Sequence, residues 1–131
     1  IGPSAISATG WGYAQNESDL DLWAKAVTEA RLPIHRGLVL SADDFLRREV
    51  IEKLMCDMVV DLEKVASHHG VDPAVFLDDL DRLQSLTHEG LAHIEGWRVT
   101  IPSAARLAMR SVASVFDAYL TLGERRHAAA V

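Results

Sequence analysis

The spacing of apolar and polar residues predicts five helices from residue 17 onward. The first occupies ESDLDLWAKAVTEAR, with Ser18 as N-cap and with Leu22, Ala26 and Ala30 on one side. The second follows Ser41, where the run Ser-Ala-Asp-Asp resembles a capping box. Its apolar residues recur at spacings of three and four, which is the helical period: Phe45, Leu46, Val50, Ile51, Leu54 and Met55.

Three further helices are predicted from their start and stop signals. Asp61 is expected to cap the third helix, and Gly70 to end it. Asp72 and Pro73 then suit the N-cap and first position of the fourth helix. Its apolar face comprises Val75, Phe76, Leu80, Leu83 and Leu86. The last helix opens near Pro102, and its expected core positions are Leu107, Val112, Val115, Phe116 and Tyr119.

Extended chain is predicted between these helices. Residues 1–16 are rich in Gly, Ser and Ala, which favours a short strand followed by a loop. Pro33 stops the first helix and makes residues 33–40 extended. Residues 58–60 form a short extended link, and residues 91–101 read as two strands around a Glu-Gly hairpin turn.

The order of these elements predicts a mainly α fold. Residues 39–131 match a helical, winged-helix-like domain with a small β-hairpin, in which residues 61–86 form the helix-turn-helix. Residues 1–38, a strand, a loop and a linking helix, belong to another unit. The 131 residues are 49% hydrophobic and 24% charged, as in an ordinary globular domain.

Charge argues against nucleic acid as a partner of this winged-helix arrangement. The net charge is −6, and the helix that would enter the major groove carries Asp78, Asp79 and Asp81 against Arg82. These carboxylates would repel the phosphates that dominate DNA affinity. A membrane partner is not expected either, because the apolar runs are far shorter than the ~20 residues that cross a bilayer.

Cys56 is the single cysteine, so an internal disulfide and a self-contained iron–sulfur cluster are both excluded. One cysteine also suits the cytoplasm. Because Cys56 lies near the apolar stripe of its helix, we expect it in the core rather than as a nucleophile. His68 and His69 are adjacent on a helix and are predicted to point apart, so neither metal ligands nor catalytic residues are assigned.

Two other features leave alternatives open. Arg47 and Arg48 suit bidentate recognition of carboxylates, but consecutive helical residues diverge by ~100°. The residues alone therefore favour surface pairs with Asp44 or Glu52. The small residues of the opening IGPSAIS would let the backbone approach a ligand closely, although their composition favours a strand end with a tight turn.

Several segments together resemble one enzyme family. They are GPSAIS, YAQN at 13–16, RLPIHRG at 31–37, LSADDFLRREVIEKLMC at 40–56 and GLAHIEGWRVTIPSAARLAMRSVASVFDAYL at 90–120. In order and spacing they resemble the C-terminal part of oxygen-independent coproporphyrinogen III oxidases, which are radical S-adenosylmethionine (SAM) enzymes. The related haem-chaperone branch typically has a histidine before the serine, so Ala5-Ile6-Ser7 favours the oxidase branch.

The resemblance implies a catalytic α/β barrel of which residues 1–38 are the end, with a helical domain that partly covers the active site. In the family, a [4Fe–4S] cluster on a Cys-x3-Cys-x2-Cys loop cleaves SAM. The resulting radical takes hydrogen from a propionate, and loss of CO2 and an electron leaves a vinyl group. Two rounds convert coproporphyrinogen III to protoporphyrinogen IX. The cluster loop would lie in a preceding part of the parent.

The resemblance also assigns residues. Ile6 corresponds to the isoleucine that packs on SAM, and Gln15, Asn16, Arg47 and Arg48 are candidate contacts for the substrate propionates. The ending RRHAAAV replaces the family's Phe-Ser-Arg tail, which puts a role of the tail in doubt. We expect this chain alone to be a cytoplasmic monomer that binds no cofactor and is inactive. The alternatives are a tetrapyrrole-binding module of a haem-chaperone-like paralogue and a winged-helix interaction domain.

Overall fold

The described residues fold into two compact units, residues 1–41 and residues 42–120. The computed structural model describes residues 1–120, so the ending RRHAAAV lies outside the described residues. Helices make up about 51% of the structure and the strands are short, which confirms a mainly α fold. Within residues 1–120, no helix has the length and apolar character needed to span a membrane.

The first unit is a three-stranded antiparallel sheet with one helix. Strands β1 (Ile6–Thr9), β2 (Gly12–Asn16) and β3 (Ile34–Val39) lie in the order β1-β2-β3, and α1 (Leu20–Thr28) connects the last two. The predicted loop after the first strand is therefore wrong. A two-residue turn returns the chain directly into β2, because antiparallel neighbours need no longer connection.

Two local features fix this unit. Asp19, rather than Ser18, caps α1, because its Oδ1 accepts hydrogen bonds from the amides of Asp21 and Leu22 at 2.9 and 3.0 Å. Gly12 has a φ of 155° and lies against β3, so closely that a Cβ added there would overlap the carbonyl oxygen of Leu38. Only glycine fits this position of the sheet.

Within residues 1–41, only Gly12 and Ala26 are buried. Large apolar side chains of the sheet and its turns are instead exposed, among them Ile6 at 67% and Val39 at 83%. The first unit therefore has very little core of its own, and its sheet presents apolar surface to the outside.

The second unit alternates helices with short strands. Its elements are α2 (Ala42–Asp57), β4 (Val59–Asp61), α3 (Leu62–His69), α4 (Leu77–His88), β5 (His93–Glu95), β6 (Arg98–Thr100) and α5 (Met109–Ser114). The three strands form an antiparallel sheet in the order β4-β6-β5. The predicted hairpin at 91–101 is confirmed, and the predicted link at 58–60 becomes the third strand of its sheet.

The predicted ends of α3 are confirmed. Asp61 accepts a hydrogen bond from the amide of Lys64 at 3.1 Å, and Gly70 adopts the left-handed conformation with a φ of 68°. Asp72 accepts from the amide of Ala74 at 2.8 Å, but Pro73 begins a 3-10 turn that precedes α4 rather than α4 itself.

The core lies in the second unit, where α2 contributes the buried residues Leu46, Val50 and Leu54 as its apolar stripe predicts. Phe76 and Phe116 are fully buried and meet edge to face, with ring centroids 6.1 Å apart. Cys56 is exposed, so its expected core position is wrong. It follows Leu54 by two residues, and a step of two turns a helical side chain by about 200°, away from the stripe.

The last predicted helix is much shorter than expected. Residues 103–108 form a 3-10 turn, and α5 ends at Ser114. Arginine side chains reach the carbonyl groups that a longer helix would bond internally: Arg82 donates to Val115 O at 2.8 Å, and Arg47 to Phe116 O at 3.2 Å. These guanidinium groups satisfy the end of the helix in place of another turn.

Three of the expected core positions are also wrong. Leu107 is fully exposed, Tyr119 is 59% exposed and Val75 is 44% exposed. The 3-10 geometry accounts for the first and the last, because it places side chains at a period of three rather than 3.6. Tyr119 follows the early end of α5, and the predicted helical face therefore does not extend to it.

Candidate functional site

A groove lies on one face of the first unit's sheet, and we call it the sheet groove. It is lined by Ile6, Tyr13, Gln15, Arg36, Gly37 and Leu38. Ile6 pairs with Gln15 across β1 and β2, and Gln15 pairs with Arg36 across β2 and β3. Directly opposed residues of antiparallel strands point to the same face, so these three side chains form one row across the sheet.

The polar end of this row is ordered by hydrogen bonds. Arg36 Nε donates to Gln15 Oε1 at 2.7 Å, and Gln15 Nε2 donates to the carbonyl oxygen of Ser4 at 3.4 Å. The first bond uses only Nε, and the terminal amino groups of Arg36 are the donors that a planar carboxylate accepts well. The row thus combines an apolar side chain, an oriented amide and a guanidinium.

The structure brings Ile6 and Gln15 together, as candidates for one site, and adds Arg36. The sequence does not point to Arg36 when residues 1–16 are interpreted as a short strand followed by a loop, because a loop has no register. Had Gly12–Asn16 been recognised as a strand, the alternation of its side chains with those of β3 would have placed Arg36 opposite Gln15.

Asn16 is not among the residues that line the sheet groove. Its side-chain Nδ2 donates to the carbonyl oxygen of Gly2 at 2.9 Å, and its backbone N–H donates to the carbonyl oxygen of Ala5 at 2.9 Å. Ser4, with a φ of 55°, donates its amide to Glu17 O at 2.7 Å. The opening segment is therefore a tight turn before β1, the interpretation that its composition favours.

Arg47 lies in the second unit, where it joins three elements of the fold. Its Nε donates to Asp43 at 2.7 Å, and one terminal nitrogen donates to Asp79 at 3.2 Å and to Phe116 O at 3.2 Å. Burial acts to lower the pKa of Arg47, but the hydrogen bond to Asp43 and the charge of Asp79 outweigh it and raise the pKa. Asp44, on the same helix, accepts a hydrogen bond from the Tyr119 hydroxyl at 2.8 Å.

Arg48 points along the surface of the same helix. Its Nε donates to Glu52 Oε1 at 2.7 Å, one helical turn further on, and its side chain is 33% exposed. This is the surface pair that the helical spacing predicts, and it contrasts with the largely buried Arg47, which is 18% exposed.

A second polar group, which we call the histidine cluster, consists of Glu49, His68 and His69. His68 Nδ1 lies 2.9 Å from Glu49 Oε2, and His69 Nε2 lies 3.0 Å from the same oxygen. The prediction that the two histidines share no ligand face is therefore wrong. His68 uses Nδ1 and His69 uses Nε2, and this difference lets two neighbouring side chains reach the same carboxylate oxygen. Burial acts to raise the pKa of Glu49, and the hydrogen bonds with both histidines outweigh it and lower the pKa.

Comparison with known proteins gives a consistent picture over nearly the whole chain. An oxygen-independent coproporphyrinogen III oxidase of Bradyrhizobium diazoefficiens is 36% identical over 131 residues, which are all of this chain and 29% of the relative. The Salmonella typhimurium protein of the same description is 36% identical over 121 residues. The chain is a homologue of the C-terminal part of the oxygen-independent coproporphyrinogen III oxidases.

The fold agrees with this family. The solved structure of coproporphyrinogen III oxidase from Escherichia coli, described as a radical SAM enzyme, matches with a TM-score of 0.83 and 32% identity. The match covers 91% of this chain and 28% of that one. The chain thus spans less than a third of the length of these relatives. No family model matches the chain.

Proposed function

We propose that the chain contributes part of the active site of an oxygen-independent coproporphyrinogen III oxidase, the enzyme that converts coproporphyrinogen III to protoporphyrinogen IX in haem synthesis. The similarity along the full 131 residues supports this assignment. The carrying observation is the sheet groove, where Ile6, Gln15 and Arg36 stand in one row. An apolar surface beside carboxylate-binding groups suits a cofactor and an acidic substrate that meet in one place.

The cofactor end of the groove is assigned to Ile6. Its side chain is 67% exposed, and burial of an exposed aliphatic side chain against a flat ring is favourable. In this proposal Ile6 packs on the adenosyl part of SAM, which when bound supplies the radical chemistry of the family. All four residues of β1 are exposed, so a cofactor can approach this strand along its length.

The substrate end is assigned to Gln15 and Arg36. Coproporphyrinogen III carries four propionates, and the hydrogen bond between these two side chains holds the guanidinium in place before a propionate arrives. Arg48, with its partly exposed guanidinium, is kept as a further substrate contact. Asn16 and Arg47 are proposed to position the opening turn and the end of α5, because both already bond to backbone carbonyls.

The iron–sulfur cluster of the family does not fit this chain. A loop with three cysteine ligands is required, whereas the chain has one cysteine, Cys56, which is exposed at the end of α2. We therefore propose that the chain alone is inactive and that the cluster belongs to another part of the parent enzyme, a cytoplasmic monomer.

The architecture has a matching proposal. The order helix, strand, helix, helix, hairpin, helix supports a winged-helix-like assignment of the second unit, with β5 and β6 as the wing. In the parent this unit would partly cover the active site, and residues 1–38 would form the end of the catalytic barrel. Exclusion of water by such a cover protects a radical intermediate from side reactions.

A chimera tests the proposed function. This chain replaces the matching segment of the Bradyrhizobium diazoefficiens relative, and formation of protoporphyrinogen IX is followed anaerobically with SAM and a reductant. We expect turnover by the chimera and none by the isolated 131 residues. A folded chimera that retains its iron–sulfur absorption but forms no product contradicts the proposal.

The same chimera tests the proposed substrate contact by Arg48. Arg48→Ala is expected to weaken substrate binding more than SAM binding, while Lys53→Ala on the same helix serves as the control. Equal substrate affinities in the parent chimera and in Arg48→Ala would remove Arg48 from the site.

A further inference from the structure

Glu49, His68 and His69 have no part in the proposed oxidase function, yet their side chains converge. Glu49 lies in the middle of α2, and the two histidines form the last turn of α3. One possible ligand atom from each lies within 4.8 Å of the others. We propose that the histidine cluster is a binding site for a divalent transition-metal cation, best matched by Zn²⁺.

The donor set suits this ion. Two imidazoles and one carboxylate are a common zinc ligand set, in which water occupies the fourth tetrahedral position. Zinc bonds of about 2.0–2.2 Å place tetrahedral neighbours roughly 3.3 Å apart. The two nitrogens lie 2.9 and 3.0 Å from Glu49 Oε2, so each distance must widen by only about 0.3 Å to admit the ion.

The arrangement also provides access and orientation. The His68 side chain is 73% exposed and the His69 side chain is 22% exposed, so an ion reaches the cluster from solvent on the His68 side. The two rings are tilted by 60° with centroids 5.2 Å apart, so they are not stacked on each other. Both approach the same carboxylate oxygen, and a monodentate carboxylate ligand needs only that one.

Positive charge near the cluster opposes a cation: Lys53, Lys64 and Arg98 line the same cavity as Glu49 and His68, and Lys53 pairs with Glu49 itself. Lys53 Nζ lies 3.7 Å from the other oxygen of Glu49, Oε1, one helical turn along α2. Its removal should therefore strengthen metal binding, whereas removal of any ligand should weaken it. These opposite signs separate a metal site from a group of hydrogen-bonded side chains, for which Lys53 has no such effect.

A bound ion would join α2 to the end of α3. Glu49 and His68 are 19 residues apart in sequence, so the ion closes a loop that contains β4 and most of α3. Binding to the folded state alone raises the midpoint of thermal unfolding as the zinc concentration rises. The proposed role is thus a structural link, and it does not depend on the oxidase assignment.

The test is a titration of the 131-residue chain with zinc chloride alone, without an affinity tag and with Cys56→Ser to remove a competing thiol. Affinity is measured by competition with a chromogenic chelator, and binding geometry by the visible absorption of Co²⁺. We expect one ion per chain, and tetrahedral Co²⁺ bands. Glu49→Gln and His69→Ala should bind at least about tenfold more weakly, since even outer-shell partners are worth that much.

His88→Ala is the matched control, because His88 also lies in the last turn of a helix, α4. It should bind zinc with the same affinity as the chain that carries only Cys56→Ser, and Lys53→Gln should bind zinc more tightly. Glu49→Gln keeps a hydrogen-bond acceptor for the histidines, and circular dichroism without zinc verifies its fold. Absence of one-to-one zinc binding by the chain with all three ligands intact overturns the proposal. So does equal weakening by His88→Ala, or unchanged affinity in a folded Glu49→Gln.

Discussion

Arg47 donates from a single terminal nitrogen to both oxygens of Asp79, at 3.2 and 3.3 Å, across 32 positions of sequence. Asp79 is 1% exposed and is the one fully buried charged side chain within residues 1–120. Arg82, one turn along α4, bonds the same carboxylate. The attraction to the two arginines offsets the large cost of removing the Asp79 carboxylate from water, so the buried charge is tolerated only while these partners remain.

Asp79→Asn is therefore expected to destabilise the second unit by about 1.5–3 kcal/mol, since it removes the counter-charge of the mostly buried Arg47 and of the partly exposed Arg82, whose side chains are 18% and 40% exposed. Urea unfolding followed by circular dichroism measures the loss. Asp78→Asn is the matched control, as Asp78 is the exposed neighbour on the same helix. It should stay within about 0.5 kcal/mol of the parent. Equal stability of both variants would contradict the assigned role of Asp79.

Gly12→Ala should disrupt the first unit's sheet. The added methyl group would overlap the carbonyl oxygen of Leu38, and the φ of 155° is one that alanine rarely adopts. Gly37→Ala is the control on the facing strand, where the new Cβ would lie 3.5 Å from the carbonyl oxygen of Tyr13, an ordinary contact. Hydrogen exchange at the amides of β2 and β3 should accelerate in Gly12→Ala and not in Gly37→Ala.

Asp61 provides a prediction about pH. The backbone amide of Lys64 is the main reason that the pKa of Asp61 lies below its ordinary value of 3.8. A lowered folded-state pKa gives stability that is present above the unfolded-state pKa and is lost as the pH falls through the folded-state value. Asp61→Asn keeps the cap but not the charge.

The parent should therefore exceed Asp61→Asn in stability by about 0.3–1 kcal/mol at pH 7, because the charge favours the N-terminus of α3. The difference should shrink as the pH falls below about 3.9. Parallel urea titrations from pH 7 to pH 2.5 measure it. A difference that stays constant over this range would show that the charge of Asp61 makes no contribution.

Arg36→Gln tests the substrate end of the sheet groove within the chimeric oxidase. Loss of a charged hydrogen bond of about 1.5–3 kcal/mol should raise KM for coproporphyrinogen III roughly ten- to hundredfold. The affinity for SAM should change little. Arg31→Gln is the control, because the Arg31 guanidinium pairs with Glu29 on the surface. A change in kcat alone, with KM unaltered, would assign Arg36 a role other than substrate binding.

The sequence predicted most of the second unit because its signals are local. The stripe of α2, the Asp61 cap and the Gly70 stop each depend on residues within a few positions of one another. The early end of α5 was not predictable in this way. Arg47 and Arg82 donate to the carbonyl groups of Phe116 and Val115, just after α5, from 69 and 33 positions earlier in the sequence. No periodicity within the helix reveals such donors.

The two sites illustrate the same difference. Ile6 and Gln15 were named from a resemblance, whereas Arg36 became visible only with the register of three strands. The histidine cluster was missed because helical geometry was applied to Cβ directions alone. At the end of a helix, imidazoles that use different nitrogens, Nδ1 for His68 and Nε2 for His69, can reach one oxygen.

The pairing of Arg47 and Arg82 with Asp79 also limits how this domain can be recombined. The charges lie on two helices, α2 and α4, and each depends on residues of the other. Exchange of one helix for that of a homologue without the matching charge would separate them and deprive the buried Asp79 carboxylate or its arginines of a partner. These three residues must therefore be inherited together with Asp43, and a crossover point for library construction should fall before residue 43 or after residue 82.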